Sequence, residues 1–325
     1  MSRTKRLSTA FILMAVLACM AVLQACAPKG DEFKTELLTA LEKQKEIQKF
    51  RFQGSSEINI PITAPAEGAK GVLASLANGT MTWNGVLDLE QNRMELDLGI
   101  ASSRAAAPLL IPLVLADSRI YFQIPAGTEN NPDFYYDYSE SGGHSALSHF
   151  NDLYLEMLSR FIGALDGKFF VSGEKDGAKR NIRIPINQKN WPEMLEVLQP
   201  ILPDAVGLLQ DANVIGEAQA GEWKSALASE PFAQRLAGLR FKEPGGWTFT
   251  LGENGYITAY EFELDVERQD DPTSRYRIRW SNRLTEIGEH PSFEKPVPEE
   301  AQSMNALLEA LLSGGSFGTR TESTE

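Results

Sequence analysis

Cysteine is nearly absent from this chain: its 325 residues contain two, Cys19 and Cys26. A pair so close to the N-terminus builds neither a disulfide framework nor a zinc-type site. Histidine is almost as scarce, with His144, His149 and His290. The first two stand five apart, a spacing that does not set two ligands on one helix face. No Walker loop occurs. Positive charge is also short: 31 Lys and Arg against 44 Asp and Glu leave a formal net charge of −13. Such a body does not suit nucleic acid, whose phosphate backbone demands clustered cations. Long apolar runs are missing too. The most continuous, Phe11 to Leu23, is shorter than the ~20 residues that cross a bilayer. These absences leave no catalytic residue, cofactor or metal site to assign, and the expected function is non-catalytic. Asp270-Asp271 reads as a solvated turn, and Gly142-Gly143-His144-Ser145 as a loop leading into a helix.

What the N-terminus does hold is specific. Arg3, Lys5 and Arg6 form a cationic n-region, the apolar run follows, and Leu23-Gln24-Ala25-Cys26 closes it. That tetrapeptide resembles the lipobox of bacterial lipoproteins. There a small residue precedes the cleavage point, and the thiol after it becomes a thioether to diacylglycerol. The resemblance makes residues 1–25 a signal peptide, Cys26 the lipidated N-terminus and residues 26–30 a tether. The alternative is an ordinary signal peptide with a chance cysteine. Cleavage would remove three cations and no acid, so the body becomes more negative than −13. Anionic headgroups repel such a body. Acyl chains, at ~0.8 kcal/mol per buried CH₂, would therefore hold the protein. The expected place is the cell envelope, lipid-anchored on the extracytoplasmic face.

Beyond the tether, apolar spacing predicts a helix over 31–49 with Asp31 as its cap, then strands from Phe50. Period-two alternation returns in Met81–Leu89, Met94–Ile100 and Ile120–Ile124, and is followed by the aromatic run Phe134–Tyr138. Leu147 to Leu165 recur at three and four, the mark of a helix with a wide apolar stripe. Residues 190–239 read as short helices broken by prolines, with Pro192 in a first turn. Asn254-Gly255 suggests a type I′ hairpin. Glu299–Leu312 reads as a last helix, and 313–325 as a disordered tail.

One pair of segments specifies its own register. Tyr256, Thr258, Tyr260, Phe262, Leu264 and Val266 alternate with Glu261, Glu263, Asp265 and Glu267. The next segment inverts the charge, with Arg275, Arg277, Arg279 and Arg283 between Tyr276, Ile278, Trp280 and Leu284. Antiparallel pairing with Glu267 opposite Arg275 then sets Asp265 against Arg277 and Glu263 against Arg279. A one-residue slip would undo all three pairs. The ladder reads as a solvated sheet face.

A lipobox, an opening helix running into Phe50-Arg51-Phe52-Gln53-Gly54, meander strands, inserted helices and further strands together resemble the LolA/LppX-like lipoprotein fold. That resemblance implies an α+β fold: a curved antiparallel sheet, an incomplete barrel, with helices packed on the concave face and room for an apolar ligand. One such domain would occupy 31–312. The expected function is binding of a lipid or other apolar ligand at the membrane surface. Phe150, Tyr154, Met157, Phe161 and Leu165 would line the site from the broad helical stripe. An envelope interaction module with a filled core is the alternative, and a hydrolytic enzyme the weakest reading.

Overall fold

A computed structural model describes residues 29–59, 78–102, 108–116, 119–123, 135–138, 146–176, 179–211, 215–271 and 274–303. Cys26, His144, residues 139–145 and the tail after Ser303 lie outside the described residues. The chain opens with α1 (Lys29–Gln44) and enters a meander of β1 (Lys49–Asn59), β2 (Asn78–Asp88), β3 (Arg93–Ser102), β4 (Leu109–Ala116), β5 (Arg119–Phe122) and β6 (Tyr135–Tyr138). Helix α2 (Ala146–Ala164) and a short 3₁₀ turn (Gly167–Phe169) lead to the hairpin β7 (Val171–Asp176) and β8 (Lys179–Ile186). Four short helices follow: α3 (Trp191–Leu198), α4 (Leu202–Asp211), α5 (Glu217–Leu227) and α6 (Glu230–Ala237). The last strands are β9 (Leu239–Phe241), β10 (Gly245–Leu251), β11 (Ile257–Arg268), β12 (Arg275–Thr285) and β13 (Ala301–Ser303).

All thirteen strands among the described residues join one sheet, ordered β13-β6-β5-β4-β3-β2-β1-β12-β11-β10-β8-β7, with β9 beside the end of β11. Strand β13 runs parallel to β6, and the other pairs are antiparallel. The sheet is large and curved and does not close into a barrel. The fold is α+β. Register between β11 and β12 is the one the charges require: Glu267 opposes Arg275, Asp265 opposes Arg277 and Glu263 opposes Arg279.

Alternation gives the sheet two chemically different faces. Along β11, β12, β1, β2, β3 and β4 the inner row includes Phe262, Trp280, Ile58, Met81, Trp83, Leu98 and Ile111. The outer row holds the charge ladder. The main buried cluster combines Phe33, Leu37 and Leu41 of α1, Leu155 and Ile162 of α2, Met194 of α3, and Ile182, Ile184, Phe249 and Ile257 of the sheet. Helices α4 and α5 have a small core of their own around Val206 and Ala220.

Three expectations are corrected, and one strand is unforeseen. Helix α1 starts at Lys29 and ends at Gln44, so Asp31 sits within its first turn rather than capping it, and Lys49 opens β1. In the hairpin after β10, Gly255 has φ +76° while Asn254 is not left-handed, so the turn is not type I′. Gly255 N–H instead donates to Gly252 O at 2.9 Å, and a register shift follows at Thr250/Leu251, the pattern of a turn with a glycine bulge. Ala301–Ser303 form a strand against β6, where the apolar spacing predicts a helix. Strand β4, which alternation does not disclose, is central to the meander.

Candidate functional site

The inner face of the sheet changes character along its width. Where β8, β10 and β11 pass under α1 and α2, its side chains belong to the closed core. Further along, Met81, Trp83, Leu96, Leu98, Ile111, Leu113 and Phe122 continue the same apolar row but stay half-buried. Leu109 at its end is 41% exposed. The buried cluster that includes Val114 and Tyr121 lies on the opposite, outer face, against Val297. Among the described residues, this half of the inner face is thus an apolar surface that the core does not fill.

Helix α2 marks the border between the two regions. Its C-terminal carbonyls are held by Lys34, whose ammonium donates to Gly163 O at 2.8 Å and Leu165 O at 2.6 Å. A cation there satisfies carbonyls that the helix leaves unpaired. The Asp166 carboxylate accepts from Lys168 N–H at 3.0 Å and starts the 3₁₀ turn. Held so, α2 lays Phe161 on Trp247, ring centroids 4.7 Å apart, and Tyr154 beside Tyr260 at 6.0 Å and Trp280 at 6.4 Å. Trp83 continues the aromatic chain 6.3 Å from Trp280. It lies over Gly54, where an added Cβ would sit 2.6 Å from the indole. Glycine is needed there for close approach.

Of the five helix residues expected at the site, Tyr154 and Phe161 face the sheet aromatics, and Met157 is half-buried. Leu165 is fully buried in the main core, packed with the helices. Phe150 belongs to α2, but its side chain lies outside the described residues. Sequence reasoning missed the sheet's share: Trp83, Trp280, Tyr260 and the row across β2–β5. The alternating residues are visible as strands; their continuity across strands is not.

Polar groups on this face are few and placed together. Trp83 Nε1–H donates to Asn282 Oδ1 at 2.8 Å, and Asn282 Nδ2–H donates to Tyr260 Oη at 2.8 Å. Burial, followed by the neighbouring Tyr260, pushes the Tyr154 hydroxyl far above its ordinary pKa. Burial also raises that of Tyr260, against hydrogen bonds from Tyr154 and Asn282. Both phenols stay neutral at physiological pH. Ser56, opposite Trp280 and Met81, is buried, and its Oγ has no hydrogen-bond partner. An unpaired buried hydroxyl costs about 1–3 kcal/mol.

This arrangement can hold an apolar body and fix one polar end of it. Among the described residues, no group of three or more His, Cys, Asp or Glu is placed to hold a metal. No described helix is long and apolar enough to cross a membrane. His290 Nδ1 lies 3.3 Å from Lys49 Nζ on the far side of β1, and Asp270 pairs with Arg268 at the hairpin tip.

Several solved structures resemble this chain over most of its length. The Mycobacterium tuberculosis lipoprotein LppX does so over 81% of this chain and 99% of LppX, at TM-score 0.33 and 10% identity. LprF from Mycobacterium bovis does so over 82% of this chain and 98% of LprF, at TM-score 0.36 and 9% identity. LppX gives its name to the fold that the order of elements resembles. No family model and no curated protein matches the sequence.

Proposed function

We propose that this chain is an extracytoplasmic lipoprotein, held to a membrane by diacylglycerol on Cys26, that binds the apolar part of a lipid on its inner sheet face. The half-buried row from Met81 to Phe122 carries the reading. A water-exposed apolar row of this extent costs free energy in proportion to its area, about 25 cal/mol per Å², and an acyl chain laid along it recovers that. Tyr154, Met157 and Phe161, with Phe150 on the same stripe, form the helical wall; Leu165 belongs to the core behind it. The Ser56 hydroxyl and the Trp83–Asn282–Tyr260 chain supply the polar contact. Binding needs no catalytic group. The acidic body keeps off the headgroups while the anchor holds it close.

Two measurements test this. Cys26→Ser should release the protein into soluble fractions or leave its leader uncleaved. Membrane retention of a correctly cleaved Cys26→Ser chain would refute the anchor. Native mass spectrometry of protein taken from its own membrane should show a lipid adduct lost on delipidation. A bare mass, with no rebinding of lipid, would refute the binding site and favour the filled interaction module.

A further inference from the structure

The outer face carries a basin that the lipid reading does not use. The charge ladder is complete at its far end: Arg275 and Arg277 both reach Asp265, and Arg279 pairs with Glu263 at 2.8 Å. It then breaks. Arg283 stands opposite Ala259 and Gln53, and Glu261 stands opposite Ser281. The next pair inward is Ser55 and Ser281, whose Oγ atoms are 3.2 Å apart. Small side chains in the middle and long ones around them leave a basin of about 540 Å³. Gln53, Asn84, Glu261 and Arg283 stand at its rim. All four are exposed, and none has a hydrogen-bond or ion-pair partner among the described residues.

Volume and chemistry together narrow the occupant. Small-molecule sites span ~300–1,000 Å³. This one offers two carboxamides, each both donor and acceptor, a carboxylate, a guanidinium and two hydroxyls. One charge of each sign leaves the lining no net charge, so an anion drawn to Arg283 is opposed by Glu261, and a cation the reverse. A neutral ligand with many hydroxyl groups satisfies every group at once. Planar side chains such as these also take adjacent hydroxyls in pairs. We propose that the basin between β2, β1, β12 and β11 on the outer face binds a saccharide. An envelope protein anchored on one side would then carry a lipid site and a glycan site on opposite faces of one sheet.

Saturation-transfer NMR on the full-length protein in detergent tests this with three probes: maltose, cellobiose and N,N′-diacetylchitobiose. At least one should show saturation transfer at millimolar concentration. Ser281→Leu, which fills the basin floor, should abolish the signal. Glu261→Gln, an exposed exchange that leaves packing untouched, should weaken binding roughly tenfold through one charged hydrogen bond. No transfer from any of the three would overturn the proposal, and so would transfer that survives Ser281→Leu in a folded protein.

Discussion

Asp265 serves two guanidinium groups with one carboxylate. Arg275 Nε donates to it at 2.7 Å and Arg277 Nε at 3.1 Å, while its own side chain is 5% exposed. Hydrogen bonds from Arg275 are the largest reason its pKa falls; burial pushes it back up, and Arg277 lowers it further. A carboxyl with a depressed pKa in the folded state contributes stability above its unfolded value and loses it as pH falls. The arginines keep 48% and 33% of their side-chain surface in water, so screening limits the contribution to about 1 kcal/mol. Asp265→Asn should therefore lower stability by about that amount at neutral pH. It should also flatten the loss of stability below the ordinary aspartate value of 3.8. Denaturant titrations of both proteins across the acid range check this; parallel acid limbs would contradict it. The ladder itself is legible in the amino-acid sequence, because opposite charges on alternating positions leave one register without conflict. The double use of Asp265 is not legible there, since it depends on how far each arginine leans along the strand.

At the scale of elements, what the sequence conceals is what another segment covers. Strand β4 reads Leu109-Leu110-Ile111-Pro112-Leu113-Val114-Leu115-Ala116, apolar throughout, so no period of two marks it. The reason lies in the segment that follows β12. Residues 286–300 cross the outer face as a strap and bury Val114 and Ala116 under Val297, which makes β4 apolar on both sides. The strap lacks any hydrophobic period and is held by polar contacts. Glu95, 3% exposed, accepts from Glu294 N–H at 2.7 Å, Lys295 N–H at 2.9 Å and Arg93 Nη2–H at 3.0 Å. Arg93 adds a bond to Lys295 O at 2.6 Å, and Lys295 Nζ reaches Asp97 at 2.9 Å. A buried carboxylate on backbone donors makes a strong clamp. Glu95→Ala should orphan both amides at about 1–3 kcal/mol, and the loss should be local. Limited proteolysis should cut the variant between residues 289 and 300 much faster than the parent; equal rates would mean the strap is held by other contacts. The strap's path also sets β13 beside β6, which explains why a segment with helical spacing begins as a strand.

For the whole molecule, the proposed lipid binding on the open sheet should register as stability. Thirteen strands without closure leave inner apolar surface beyond the reach of α1 and α2. An occupied face and an empty one therefore differ in how much of that surface meets water. A ligand at 100 times its dissociation constant adds about 2.7 kcal/mol to a folded state that alone binds it. In a domain of this size that corresponds to a rise in Tm of roughly 4–5 °C. Scanning calorimetry of detergent-purified, delipidated protein with and without a long-chain fatty acid should show such a rise. Leu98 sits in the half-buried row, next to Trp83 across the strand pair. Leu98→Glu places a carboxylate where the acyl chain should lie, and a buried charge without a partner is costly. The variant should unfold as one cooperative unit, yet its Tm should no longer respond to the fatty acid. Substitution at the outer-face Thr248 should leave the response intact, because its side chain points away from the row. If the parent's Tm stays flat at saturating fatty acid, the inner face is closed in solution and the fold serves another ligand class. If Leu98→Glu and the parent respond alike, the fatty acid binds elsewhere.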